Sequence, residues 1–157
     1  MAKLRTVGAV TALAAATAAG SVALSAPAHA AKDDCKSGYL CAWNNDNVNK
    51  PYTGKPDCKW YGDGWAWRNN CGGFSNKADA IYNHGKGGYS AVRIFDGAGG
   101  TGSSACIGKG KSWNLRARYK DPEVGGYRYI YNWTKGKKKG QPIITGGISS
   151  HVWVKSC

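Results

Sequence analysis

Hydrophobic and polar positions alternate along this chain in short runs, never with a sustained helical period. In residues 90–95 the alternation puts Val92 and Ile94 on one face. Residues 127–133 place Tyr127, Tyr129, Tyr131 and Trp133 together, and 148–154 place Ile148, Val152 and Val154 together, which turns His151 outward. Shorter candidates are 39–43, 59–61, 80–82 and 105–107. Between them lie Asn44-Asn45-Asp46-Asn47, Gly62-Asp63-Gly64, His84-Gly85-Lys86-Gly87-Gly88 and a glycine-rich run at 97–102. A period of two in short runs, punctuated by Gly, Asn and Asp, predicts an all-β protein, an antiparallel sandwich or barrel. A faint duplication is also visible: 74–81 and 144–152 are both loop-to-strand passages that follow a glycine-punctuated, aromatic-bearing segment.

The first 30 residues read differently. Lys3 and Arg5 precede a stretch from Thr6 to Ala30 with no charged residue, ending Ala28-His29-Ala30, the small-x-small pattern cut by signal peptidase. A membrane anchor is the competing reading, but the run is rich in Ala and Thr rather than Leu. The expectation is a signal peptide at 1–30 and a secreted, extracellular domain at 31–157, with no later run long enough to span a bilayer. That part holds 127 residues, 20 basic and 9 acidic, a net +11. Its length suits one domain built from two related halves, and is too short for a doubly wound enzyme or an eight-fold α/β barrel of about 250 residues.

All six cysteines (Cys35, Cys41, Cys58, Cys71, Cys106, Cys157) lie after residue 30. An even number in an oxidising compartment reads as three disulfides, with 15 pairings open. Cys35 with Cys41, Cys58 with Cys71 and Cys106 with Cys157 is the pairing expected here. No C-x2-C spacing favours zinc, and no cofactor is called for.

Catalytic chemistry finds little support. Gly97-Ala98-Gly99-Gly100-Thr101-Gly102 spells G-x-G-x-x-G, but a phosphate site needs a helix to start there, and the Gly-broken Ser103–Gly108 stretch does not supply one. It reads as a hairpin or Greek-key loop. His84 falls in a glycine-rich turn, Glu123 falls in the turn at 121–125, and there is no G-x-S-x-G elbow. The expectation is a protein that is not an enzyme.

Charge is the stronger signal. Lys135, Lys137, Lys138 and Lys139 crowd one Gly-flanked loop, with Arg116, Arg118 and Lys120 just upstream. Such a loop is a candidate for anionic polymers, or the ordinary solvated face of a basic protein. The stripe at 127–133 reads as core, because the chain has few Leu, with a half-exposed stacking platform for glycan or bases as its rival. Trp65-Ala66-Trp67 poses the same choice.

Residues in the order found here also resemble a known family. Cys35-Lys36-Ser37-Gly38-Tyr39-Leu40-Cys41-Ala42-Trp43 is similar to the opening C-x-x-G-x-x-C of the I36 peptidase-inhibitor family (Streptomyces metalloproteinase inhibitor type). Phe74-Ser75-Asn76-Lys77-Ala78-Asp79-Ala80-Ile81-Tyr82-Asn83 resembles that family's next passage. Val92-Arg93-Ile94-Phe95, the glycine loop and Lys111-Ser112-Trp113-Asn114-Leu115 continue it, and Ile148-Ser149-Ser150-His151-Val152 resembles a second copy of the small-small passage. The resemblance implies a βγ-crystallin-like Greek-key sandwich. It further implies a monomeric inhibitor of an extracellular peptidase, a metalloprotease, acting through a substrate-like loop whose reactive bond falls at Cys106-Ile107. The family's second, nearby Cys is missing here, so Cys106 must pair far away or not at all. Relatives with this fold often bind calcium; the second copy has no acid, and Lys77 opposes a cation in the first, so no metal site is expected. The alternative to inhibition is a basic binding or antimicrobial protein that holds cell-wall glycan or anionic polymer.

Overall fold

The computed structural model describes residues 30–45, 47–123, 125–144 and 146–157. The expected signal peptide lies outside the described residues except for its last, Ala30. Among the described residues nine strands form three antiparallel sheets: β1 (Tyr39–Trp43), β2 (Cys58–Trp60), β3 (Ala80–His84), β4 (Ala91–Phe95), β5 (Ser104–Ile107), β6 (Ser112–Asn114), β7 (Arg118–Lys120), β8 (Tyr127–Tyr129) and β9 (Ser150–Val154). The first sheet has the order β2-β1-β3-β6, the second β5-β4-β9, and β7 pairs with β8 alone. Among the described residues helix is confined to single turns, and none is long and apolar enough to cross a membrane.

The two large sheets are tied together by exchange. Between β2 and β3 the chain crosses over, and Gly64 bridges to His151 of β9 in the second sheet. Reciprocally, β6 leaves the second half and pairs with β3, Ile81 opposite Trp113. Positions seventy residues apart make matching bonds. Asp79 N–H donates to the Trp43 carbonyl (2.8 Å) and Ser149 N–H to that of Phe95 (2.9 Å). Leu115 N–H donates to the Asp79 carbonyl (2.7 Å) and Trp67 N–H to that of Ser149 (2.9 Å). At the junction, Asn76 N–H donates to Ile148 and Gly146 N–H to Ala78. Gly146 has φ 78°, and a Cβ there would run into the Asn76 carbonyl, so the close approach requires glycine.

One core fills the space between the sheets, built from Leu40, Trp60, Trp67, Phe74, Ile81, Val92, Ile94, Ile107, Leu115, Trp133, Ile143 and Ile148. Each such side chain contributes about 1.5–3 kcal/mol by leaving water. β1 is buried on both faces because a second cluster, Cys35, Cys41, Trp43 and Ala80, with Tyr39, Tyr52 and Tyr82 against it, covers the outer side of the first sheet. The disulfides are Cys35–Cys41, Cys58–Cys71 and Cys106–Cys157, the pairing expected from the sequence.

Three expectations are corrected. His151 points inward and is fully buried, because β9 has partners on both edges and packs against Trp60 and Trp67. His84 ends β3 rather than sitting in a turn, with Nδ1 2.6 Å from the Cys35 carbonyl oxygen. The strand read over 127–133 stops at Tyr129.

Candidate functional site

The Cys106-Ile107 bond is not in a loop. Both residues belong to β5, where Ile107 faces Val92 and is 0% exposed, and the Ile107 carbonyl accepts a hydrogen bond from Asn83 Nδ2 at 3.0 Å. A substrate-like bond has to present its apolar side chain to a protease pocket. Here that side chain is core, and lifting it out would expose the interior. This corrects the assignment of the reactive bond to Cys106 and Ile107. Cys106 is a staple that binds the outer strand of the second sheet to Cys157.

The basic residues, by contrast, come together. Between β6 and β9 the chain makes a long excursion, and its first part, residues 116–139, carries eight basic residues against two acidic ones. This arm starts from a buried anchor. Arg116 meets the fully buried Asp79 with two nitrogens, Nε to Oδ1 at 3.1 Å and Nη2 to Oδ2 at 3.3 Å. Beyond it β7 and β8 form a hairpin in the register Arg118↔Tyr129, Tyr119↔Arg128 and Lys120↔Tyr127.

Asp121 organises the hairpin turn. Its N–H donates to the Gly126 carbonyl, one carboxylate oxygen accepts Glu123 N–H at 2.9 Å, and the other pairs with Arg128 Nε at 2.7 Å. A local acceptor of this kind replaces a longer ladder. Arg118 lies over the Tyr129 ring, 4.5 Å from its centre, and donates to its hydroxyl at 2.6 Å. β7 is exposed along its whole length, so both faces of this ribbon meet water.

The chain then returns to the core, and the aromatic stripe divides. Tyr127 is 71% exposed, Tyr129 is partly covered, Tyr131 stacks on Trp113 at 4.8 Å, and Trp133 is buried. Burial pushes the Tyr131 phenol above its ordinary pKa. The stripe is therefore neither all core nor all platform; it grades from one into the other.

The lysine turn follows at once. Lys135 N–H donates to the Ser104 carbonyl at 3.0 Å, and Ser104 N–H donates back to that of Lys135 at 3.1 Å. Lys138 N–H donates to Ser103 Oγ at 2.8 Å. Gly136, with φ 86°, lies so close that a Cβ would sit 2.7 Å from Ser103 Cα. The turn is thus pinned to the outer strand of the second sheet. Of the four lysines, Lys138 turns to Asp96 (3.0 Å), while Lys135, Lys137 and Lys139 are exposed. A hollow of about 280 Å³ lined by Tyr127, Arg128, Asn132, Gly140 and Pro142 connects the hairpin to the end of this turn.

Sequence reading found the lysines, Arg116, Arg118 and Lys120, but missed Tyr119, Asp121 and Arg128. Arg118-Tyr119-Lys120 and Tyr127-Arg128-Tyr129 flanking Asp121-Pro122 and Gly125-Gly126 carried the hairpin signal. The remaining candidates lie apart from the arm or on its turn. Residues 97–102 connect β4 to β5 through one 3-10 turn, and Glu123 is exposed. Among the described residues, no three His, Cys, Asp or Glu side chains gather as metal ligands. No family model matches the chain, and neither curated proteins nor solved structures match it.

Proposed function

We propose that this is a secreted, non-enzymatic binding protein that holds an anionic polymer, of the kind found in cell walls, on the arm at 116–139. One observation carries the reading: exposed Lys135, Lys137 and Lys139 are held on a pinned turn, joined by one hollow to a hairpin of exposed Arg, Lys and Tyr. A pinned turn loses little conformational freedom when it binds, and clustered cations of one sign raise the local concentration of a polyanion. Ion pairs also fix the arm in place, Arg116 to Asp79, Lys138 to Asp96 and Arg128 to Asp121.

For the scaffold we propose the βγ-crystallin-like Greek-key arrangement that the family resemblance implies. The reciprocal exchange of Gly64 and β6, and the bonds repeated seventy residues apart, support it.

The same resemblance keeps peptidase inhibition as the second reading, through an exposed segment other than 106–107. Its support is the rigid, disulfide-stapled scaffold. One experiment separates the two. Retention on an anionic polymer column is measured for the wild type and for Lys137→Ser/Lys138→Ser/Lys139→Ser, beside titration of thermolysin, subtilisin, trypsin and papain. Salt-sensitive retention that the triple variant loses, with no protease inhibited, is the expected result. Stoichiometric, salt-resistant inhibition of thermolysin with no retention replaces the first reading by the second.

A further inference from the structure

Away from the arm residues, the chain forms a second concave site. A cleft of about 420 Å³ is lined by Tyr61, Asp63, Lys86, Tyr89 and Trp153 over backbone at Gly38 and Gly62. It shares no residue with the arm. Its volume lies at the small end of ligand pockets, which run from about 300 to 1,000 Å³.

The aromatic rings are exposed where burial would be the ordinary outcome. Among the described residues eight large hydrophobic side chains are exposed; Tyr61 (64%) and Tyr89 (60%) are two of them, and both line this cleft. The third ring is fixed. Trp153 Nε1 donates to the Gly62 carbonyl at 3.0 Å, and Trp153 N–H donates to Asp63 Oδ1 at 2.7 Å. His151 Nε2 lies 3.1 Å from that same carbonyl oxygen, so two residues of β9 hold the Gly62–Asp63 segment by three contacts. Tyr61 leans on Tyr39, with centres 5.4 Å apart. At Gly38, φ 92°, a Cβ would come within 3.2 Å of both Lys86 Cε and Tyr61 Cε2; glycine there lets the two converge.

The chemistry selects a ligand class. The lining pairs one carboxylate with one ammonium, and Lys155 Nζ lies 5.7 Å from the centre of the Tyr89 ring, so the charge is mixed rather than the single-sign field a polyanion asks for. Three aromatic rings ask for a flat apolar face, and Asp63 with Lys86 asks for groups that both donate and accept. A pyranose sugar has both: a C–H face and a rim of hydroxyls. Rings already in place reduce the ordering cost of binding.

We propose that this cleft is a carbohydrate site, which takes a neutral pyranose against its aromatic rings with Asp63 and Lys86 meeting the hydroxyls. The inference stands independently of the polyanion arm.

The test is titration of the purified protein with chitotriose, cellotriose and maltotriose, followed by the Trp153 indole N–H resonance. Glycine and inorganic polyphosphate are titrated beside them. At least one trisaccharide is expected to saturate that resonance below about 10 mM. Tyr61→Ala and Tyr89→Ala, both at exposed positions, are expected to weaken binding about tenfold each. Asp63→Asn, which keeps the acceptor for Trp153 N–H, is expected to hold the fold and weaken binding less. Lys137→Ser/Lys139→Ser is expected to bind the sugar unchanged. Saturation by no sugar, saturation by glycine or polyphosphate alone, or unchanged affinity in both tyrosine variants overturns the proposal.

Discussion

Trp67 Nε1 donates a hydrogen bond to His151 Nδ1 at 2.8 Å in the centre of the molecule. That bond makes Nδ1 an acceptor, leaving Nε2 to carry the proton toward the Gly62 carbonyl. The imidazole is neutral and has both nitrogens satisfied, which is how a histidine fits where its counterpart seventy residues earlier is Ile81.

Acid sensitivity follows from it. Burial pulls the His151 pKa from 6.5 down to about 4, against smaller opposing effects of the Gly62 carbonyl and Asp63. The unfolded chain takes up the proton near its ordinary pKa and the native state only near 4, so His151 costs the fold nothing above pH 6.5. Stability then falls between about pH 6.5 and 4, by roughly 3 kcal/mol, and this contribution levels off below. Urea midpoints at pH 7, 5.5 and 4 measure it. His151→Ile is expected to remove this slope while costing about 1–3 kcal/mol at neutral pH, because Trp67 N–H is orphaned.

The arm's anchor gives a second expectation. Removing Arg116 leaves Asp79 buried without its cation, so Arg116→Ala is expected to cost about 3 kcal/mol, the low end for such pairs because Arg116 is partly exposed. Replacing Asp79 by the serine of its counterpart, Ser149, is the remedy. The double variant Asp79→Ser/Arg116→Ala is expected to regain part of that loss in chemical denaturation.

Ile107 separates core from reactive site. Ile107→Ala is expected to cost about 2–5 kcal/mol and Ile107→Asp to prevent folding, since the charge would have no partner in the core. A well-folded Ile107→Asp protein, judged by near-ultraviolet circular dichroism, would return residue 107 to the surface.

The disulfides rank by the loop each closes. With separations of 6, 13 and 51, the chain-entropy relation gives about 2, 3 and 4 kcal/mol for Cys35–Cys41, Cys58–Cys71 and Cys106–Cys157. Paired Cys→Ser variants compared by denaturant midpoint are expected to follow that order.

What could be read in advance depended on how many neighbours decide a residue's place. Val92 and Ile94 were legible because their alternation is local and both sides of it are apolar or polar as expected. Cys35–Cys41 and Cys58–Cys71 were legible because each joins neighbouring cysteines in the chain, and Cys106–Cys157 followed as the pair left over. His151 was misplaced because its polarity argues for water, and only Trp67 and Gly62, distant in the chain, make its burial affordable. The crossing at Gly64 is one residue long and carries no period to detect. Ile107 was assigned by likeness to a loop, while its pairing with Val92 places it in a strand. At the arm the charges were plain from the sequence; the pinning of Lys135 and Lys138 to Ser103 and Ser104 was not, since it is backbone and hydroxyl bonding across about thirty residues.

The position of β9 has a consequence for synthesis. Among the described strands it comes last in chain order, yet it lies between β4 and Gly64, so it is the piece on which both halves of the second sheet close. A nascent chain lacking residues 150–154 has an open edge on β4 and nothing to receive Gly64. Completion therefore waits for residues 150–154, and their removal is expected to abolish the whole fold rather than trim it. A chain whose native state is withheld until residues 150–154 have emerged remains threadable through a narrow channel until that moment.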